Sequence, residues 1–137
     1  DVKGLFFLQT NHEMPMAFVQ ALLALDYTPV PLSGSSQQKV VDIAIQKMMV
    51  ELVQHEADVL LVSNDGDFLP QVRELLADEE RRVGVIGFTE FANGGFGSLR
   101  DEGLEIFDLE HDVRAFNVTL PRVRIIPIDE FDPTAFL

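Results

Sequence analysis

Apolar residues along this chain fall alternately into short continuous runs and into stretches with helical spacing, which predicts strands interleaved with helices. That order builds a parallel sheet with helices on its faces. The run Leu5-Phe6-Phe7-Leu8 predicts a buried strand ending at Gln9-Thr10-Asn11. Pro15 then suits a first helical turn, and Phe18, Leu22, Leu23 and Leu25 supply an apolar stripe that stops near Asp26. Tyr27 to Leu32 predicts a second strand, which Pro29 and Pro31 confine to an edge because neither can donate to a ladder.

Ser33-Gly34-Ser35-Ser36 is a turn with capping residues, followed from Gln38 to about His55 by Val41, Ile45, Met48 and Leu52 at helical spacing. Ala57-Asp58-Val59-Leu60-Leu61-Val62 predicts a central strand buried on both faces. After Ser63-Asn64-Asp65-Gly66-Asp67 a helix opens near Phe68 or Pro70 and carries Val72, Leu75 and Leu76 toward Glu80. Arg82 to Phe88 is the next strand. Thr89 to Ser98 reads as a loop, with Asn93-Gly94-Gly95 and Gly97 removing regular structure. A short helix from Ser98 to Glu102 and a strand around Ile106-Phe107 close the pattern. Beyond it Val118, Leu120, Val123 and Ile125 alternate like an edge strand, and Pro127, Pro133 and Phe136 indicate an extended tail that packs across the domain or onto a partner. The expected architecture is α/β: three Rossmann-like layers, α/β/α, around a mainly parallel sheet. Residues 1–112 make the domain and 113–137 an extension, through which a homodimer is conceivable.

The chain's 137 residues suit one domain, and 47% hydrophobic content with eleven Phe is the profile of a packed protein. The absence of cysteine excludes disulfides, thiolate zinc sites and Cys nucleophiles, and fits a reducing compartment. No run approaches the ~18 apolar residues of a membrane span, and the start has no basic region leading into an apolar signal. A cytoplasmic protein without membrane contact is the expectation. Ten basic against 23 acidic residues give a net charge of −13, which argues against broad electrostatic binding of a polyanion. Any nucleic-acid contact must be local or bridged by metal.

In an open parallel sheet functional groups gather at the carboxyl ends of strands, where Asn64, Asp65 and Asp67 lie. Two carboxylates separated by one glycine repel unless neutralised, and hard oxygen ligands suit Mg²⁺ or Mn²⁺. The alternative is that Gly66 makes a tight turn while both aspartates cap the next helix. Asp42 stands near the start of the long helix, where it also favours the positive end of the helix dipole.

Taken together, Lys39-x-Val41-Asp42 in a helix, the run Val62-Ser63-Asn64-Asp65-Gly66-Asp67-Phe68-Leu69-Pro70-Gln71-Val72, and Arg82-Val83-Gly84-Val85-Ile86-Gly87-Phe88 resemble the NYN domain family, of the LabA/DUF88 type, relatives of the PIN-domain ribonucleases. The resemblance covers roughly residues 3–109. It implies a PIN-like fold in which clustered aspartates hold one or two Mg²⁺ or Mn²⁺ ions and hydrolyse RNA, single-stranded or structured. Mapped onto this chain, the catalytic and metal-binding set is Asp42, Asp65 and Asp67, with Asn64, Ser63, Lys39 and Asn11 supporting ligands or substrate. Three features depart from the family. Its first strand, which carries another Asp in an Asp-Gly-x-Asn-like run, has no clear counterpart, since Val2 to Phe7 matches the second strand better. Met48 stands where many relatives have a further Asp, and Gly103-Leu104 replaces an Ala-Asp pair near the last strand. A scaffold that binds RNA or a protein without cutting is therefore the competing expectation.

Other candidates carry less. The Asn93–Ser98 loop offers backbone N–H groups to a phosphate or is a plain connection. His12, His55 and His111 have no metal-ligand spacing, no Gly-x-Ser-x-Gly elbow starts a hydrolase triad, and Asn117-Val118-Thr119 is a chance acceptor match. Lys3, Lys39, Lys47 and Arg100 are candidates to line a substrate groove. A phosphoacceptor domain of the receiver type would need a Lys after a late strand, and Gly87-Phe88-Thr89-Glu90 has none.

Overall fold

In the computed structural model, strands and helices alternate as the apolar pattern requires, and the structure describes residues 1–35, 37–88, 94–118, 120 and 125–137. β1 (Gly4–Gln9) leads to α1 (Met16–Ala24), which starts just after Pro15; the Pro15 carbonyl accepts from the Val19 N–H at 3.0 Å, so the proline sits one residue ahead of the expected first turn. Asp26 ends this helix in the left-handed region with φ 62°, a conformation Asp tolerates better than most residues. β2 (Tyr27–Leu32) pairs with β1 in parallel, Gly4 opposite Tyr27 and Gln9 opposite Leu32. Pro29 and Pro31 alternate along it, so their missing N–H groups share the outer side and the ladder to β1 is intact.

α2 (Val40–Leu52) is shorter than the apolar spacing suggests, but turns at Glu51–Gln54 and Leu52–His55 continue its winding. β3 (Val59–Val62) pairs in parallel with β4 (Val83–Gly87), and β4 with β5 (Glu105–Asp108). Between β3 and β4 a 3₁₀ turn at Gly66–Phe68 runs into α3 (Leu69–Leu76), with Pro70 in its first turn, where no N–H is needed. The strands form two sheets, β1-β2 and β3-β4-β5. α2 spans both: it packs on β1 and α3, and its Met49 joins the core made by Leu61, Phe68, Val72, Leu75, Val83 and Val85. α1 lies on the other face, where Phe18 meets Phe6 edge-on at 5.3 Å.

Three expectations need correction. Gly94–Ser98 is a short helix, α4, rather than loop: Phe96 is buried in the core and anchors it despite three flanking glycines, and the Ser98 hydroxyl donates to the Gly95 carbonyl at 2.7 Å. Residues 89–93 of that segment lie outside the described residues. The strand β3 is buried on one face only: Leu61 is in the core, whereas Leu60 and Val62 are 56% and 64% exposed. The tail is not simply extended, because Ile128–Glu130 and Pro133–Phe136 form 3₁₀ turns, the second capped by Asp132 accepting from the Thr134 N–H at 3.0 Å. The alternation Val118 to Ile125 falls largely outside the described residues. Phe116 stacks on Phe88 with ring centroids 6.0 Å apart, which returns the chain after β5 to the end of β4.

Arg81 ties these elements together below the sheet. Its side chain is 3% exposed, and its guanidinium donates to the carbonyls of Ala57 (2.8 Å), His55 (2.7 Å), Leu52 (3.1 Å), Val53 (3.4 Å) and Leu75 (3.3 Å). It thus closes the end of α2, the turn into β3 and the end of α3.

Candidate functional site

α2 begins soon after β2 ends and runs back along the sheet, so its first turn, which contains Asp42, stands at the carboxyl rim. β3 ends at that same rim, and Ser63 to Asp67 follow it directly. The result is one group in which carboxylate oxygens of Asp42, Asp65 and Asp67 all lie within 4.8 Å of one another. Asp42 and Asp65 are half-buried and Asp67 is exposed.

The loop that carries two of the three is held by its own side chains. The Asp65 N–H donates to Ser63 Oγ at 3.0 Å, and Asp65 Oδ1 accepts from the Asp67 N–H at 2.9 Å, capping the turn Gly66–Phe68. The capping expectation is met by Asp65 alone, which caps with one oxygen while remaining in the acidic group; α3 has no side-chain cap, and Asp67 pairs with Lys39 instead. Lys39 Nζ lies 3.5 Å from Asp67 Oδ2, with both side chains largely exposed. Gln46 Nε2 donates to the Asp67 backbone carbonyl at 3.1 Å and latches α2 to the loop. Gln46 was not singled out by sequence; its signal is its place one helical turn after Asp42, on the same side of α2.

The other named residues are placed differently. Asn64 turns toward β4, where its Oδ1 occupies the space above Gly87; a Cβ on that glycine would stand 1.8 Å from it. Asn11 follows the end of β1 and accepts from Gln9 Nε2 at 3.4 Å, and among the described residues no hydrogen bond joins it to the aspartates. Met48 and Lys3 line a cleft between β1 and β3, which also touches Asp42 and Ser63. His55 pairs with Glu51 at 3.2 Å and His111 with Glu110 at 3.3 Å.

Three like charges this close repel by about 1 kcal/mol per pair in water, and by several times that where protein replaces solvent. One exposed lysine offsets only part of it. The donors are hard carboxylate oxygens at a partly open rim, a set suited to a divalent cation. No helix among the described residues is long and apolar enough to cross a membrane.

The family model of the NYN domain matches residues 10–106. Among solved structures, a protein of unknown function from Vibrio parahaemolyticus RIMD 2210633 is similar, with TM-score 0.63 and 19% identity over 81% of this chain and 70% of that one. At that identity the likeness speaks for the fold alone. No curated protein matches. The match and the solved structure agree with a PIN-like α/β fold.

Proposed function

The chain belongs to the NYN domain family, within the PIN-like nuclease superfamily, and from that premise we propose that it is a metal-dependent ribonuclease. The observation that carries the proposal is the convergence of Asp42, Asp65 and Asp67 from two separate elements to within 4.8 Å. The three carboxylates would hold Mg²⁺ or Mn²⁺, which when bound lowers the pKa of water and stabilises negative charge developing on a phosphodiester. Ser63, through its bond to the Asp65 N–H, and Gln46, through the Asp67 carbonyl, keep the loop in the shape that aims both carboxylates at Asp42. Lys39 lies beside Asp67 and offers a phosphate its ammonium. RNA is the substrate class, entering across the exposed rim on the Asp67 side.

The test is cleavage of single-stranded RNA in Mn²⁺ by the purified protein. Cleavage that EDTA abolishes and Asp65→Asn lowers at least 100-fold supports the proposal; full activity in Asp65→Asn overturns it. A second proposal, a scaffold that binds RNA or a protein partner without cutting, draws on Met48, a thioether in the cleft wall six residues after Asp42. It expects no thermal stabilisation by Mn²⁺.

A further inference from the structure

We propose that the stacked rings of Phe88 and Phe116 form a base-binding subsite beside the aspartates, where one unpaired RNA base lies on the exposed face of Phe116. The inference deepens the ribonuclease proposal and takes from it the identity of the ligand.

Strand register places the ring pair at the acidic rim. Val62 of β3 stands beside Ile86 of β4, and the Ser63 N–H donates to the Ile86 carbonyl at 3.0 Å, so the parallel pairing carries on past the end of β3. Asn64 then reaches across to Gly87, and it lines one small recess together with Gly87, Phe88 and Phe107. Phe88 is the next residue after Gly87, and Asp65 the next after Asn64. The backbones of Phe88 and Asp65 are thus apart by about one strand spacing of 4.8 Å and one or two residue rises of about 3.3 Å. The rings stand within one or two nucleotides of a phosphate held at the carboxylates.

Phe116 is held in place by the turn that follows β5. The His111 N–H donates to the buried Asp108 carboxylate at 2.7 Å, the Asp112 carboxylate accepts from the Asp108 N–H at 2.7 Å, and the Ala115 N–H donates to the Leu109 carbonyl at 3.0 Å. Arg114 adopts the left-handed region, φ 55°, which is uncommon for such a residue. The turn lays Phe116 over Phe88 at an interplanar angle of 21° and leaves Phe116 41% exposed. A ring that only closed the core would be covered. This one rests on a neighbouring ring and shows aromatic surface to solvent.

Charge says why the ligand is a base. At a net charge of −13 the protein gains little from phosphates, and stacking on a neutral ring is the part of single-strand affinity that needs no cation. An unpaired base offers its face for that contact. The half-buried Asn64 amide makes no hydrogen bond among the described residues, which leaves a donor and an acceptor beside Phe88 for a base edge. Phe116 lies outside the NYN domain, residues 10–106, so the platform belongs to this chain's own extension.

The chain has no tryptophan, so Phe116→Trp places a single indole on the platform. A uridine hexanucleotide and the same ribose-phosphate chain without bases are mixed with this variant in Mg²⁺, and emission is read by stopped flow before cleavage. The expected result is quenching by the hexanucleotide and none by the base-free chain. Labelled hexanucleotide should bind Phe116→Ala and Phe116→Leu about five-fold or more weakly than the parent, and Phe116→Trp at least as well. Leucine keeps an apolar contact with Phe88 and guards against mere loss of packing, which thermal melts read separately. In cleavage the loss should fall on KM rather than kcat. Quenching by RNA in a protein that does not cut supports the subsite and removes the nuclease reading. EDTA-sensitive cleavage with no quenching, and with equal affinity in Phe116→Ala and Phe116→Leu, overturns the subsite and leaves the nuclease. Equal binding of the base-free chain also overturns the subsite, and absence of both cleavage and quenching overturns the two together.

Discussion

Asp65 does two things with one side chain, and they can be separated. Its Oδ1 caps the Gly66–Phe68 turn, while its charge adds to that of Asp42 and Asp67. Asparagine caps as well as aspartate does, so Asp65→Asn keeps the turn and removes only charge. Without metal the variant should be as stable as the parent, or more so by up to about 1 kcal/mol, because repulsion is relieved. With Mn²⁺ at about 100 times its dissociation constant the parent should gain about 2.7 kcal/mol, a rise of roughly 10 °C in Tm, and the variant should lose most of it. Thermal melts with and without EDTA read both effects. At this scale the sequence was informative where a residue's role is local: the Ser-Asn-Asp-Gly-Asp run shows its cap and its charges. It was silent on Arg81 and Gln46, whose partners at Leu52, Ala57 and Asp67 are 21 to 29 residues away, a distance no spacing rule covers.

At the scale of elements, the periodic segments were legible because burial imposes their period. α2 shows Val41, Ile45, Met48 and Leu52 on one side, and Pro29 with Pro31 fixed β2 as an edge. α4 was not legible, since its glycines disfavour a helix and the burial of Phe96 that overrides them comes from distant parts of the chain. The exposure of Leu60 and Val62 was equally hidden, because an apolar run describes a strand able to be covered and not whether a layer covers it. Element junctions carry two predictions. Arg81→Met keeps the aliphatic stem but strips donors from five carbonyls, that of Leu75 buried and the others partly so; the loss should be about 3 kcal/mol, measured by urea unfolding. On the exposed side of β4 and β5, Arg82 holds Glu105 with a hydrogen bond at 2.8 Å, and the hydrogen bond together with the charge of Arg82 sets the Glu105 carboxyl below the usual glutamate range. A depressed folded value means the unfolded chain binds the proton more readily, so this contribution is present above the ordinary glutamate pKa and lost as pH falls through the folded one. Glu105→Gln should therefore flatten the decline of Tm between about pH 5 and 3, modestly, because the pair is in water.

For the whole molecule the governing number is the net charge of −13. A basic RNA-binding surface releases counterions, and log affinity for a single strand falls with log salt by about 0.7 for each phosphate neutralised. Here long-range repulsion acts the other way and is itself screened by salt. RNA association in Mn²⁺ should have a slope no steeper than about −1 between 50 and 200 mM salt, set by filter binding at fixed Mn²⁺. A slope of several units would show a broad cationic surface and contradict the proposed entry across the aspartate rim.

The two prolines of β2 have an effect that reaches beyond the single molecule. With their ring nitrogens turned outward, the sheet's outer border offers no regular row of donors for a second polypeptide to dock against. Fibril-type growth, which lengthens a sheet one chain at a time, is thereby disfavoured along that flank, and the protein can keep a parallel ribbon at its periphery without turning it into a template for its own precipitation.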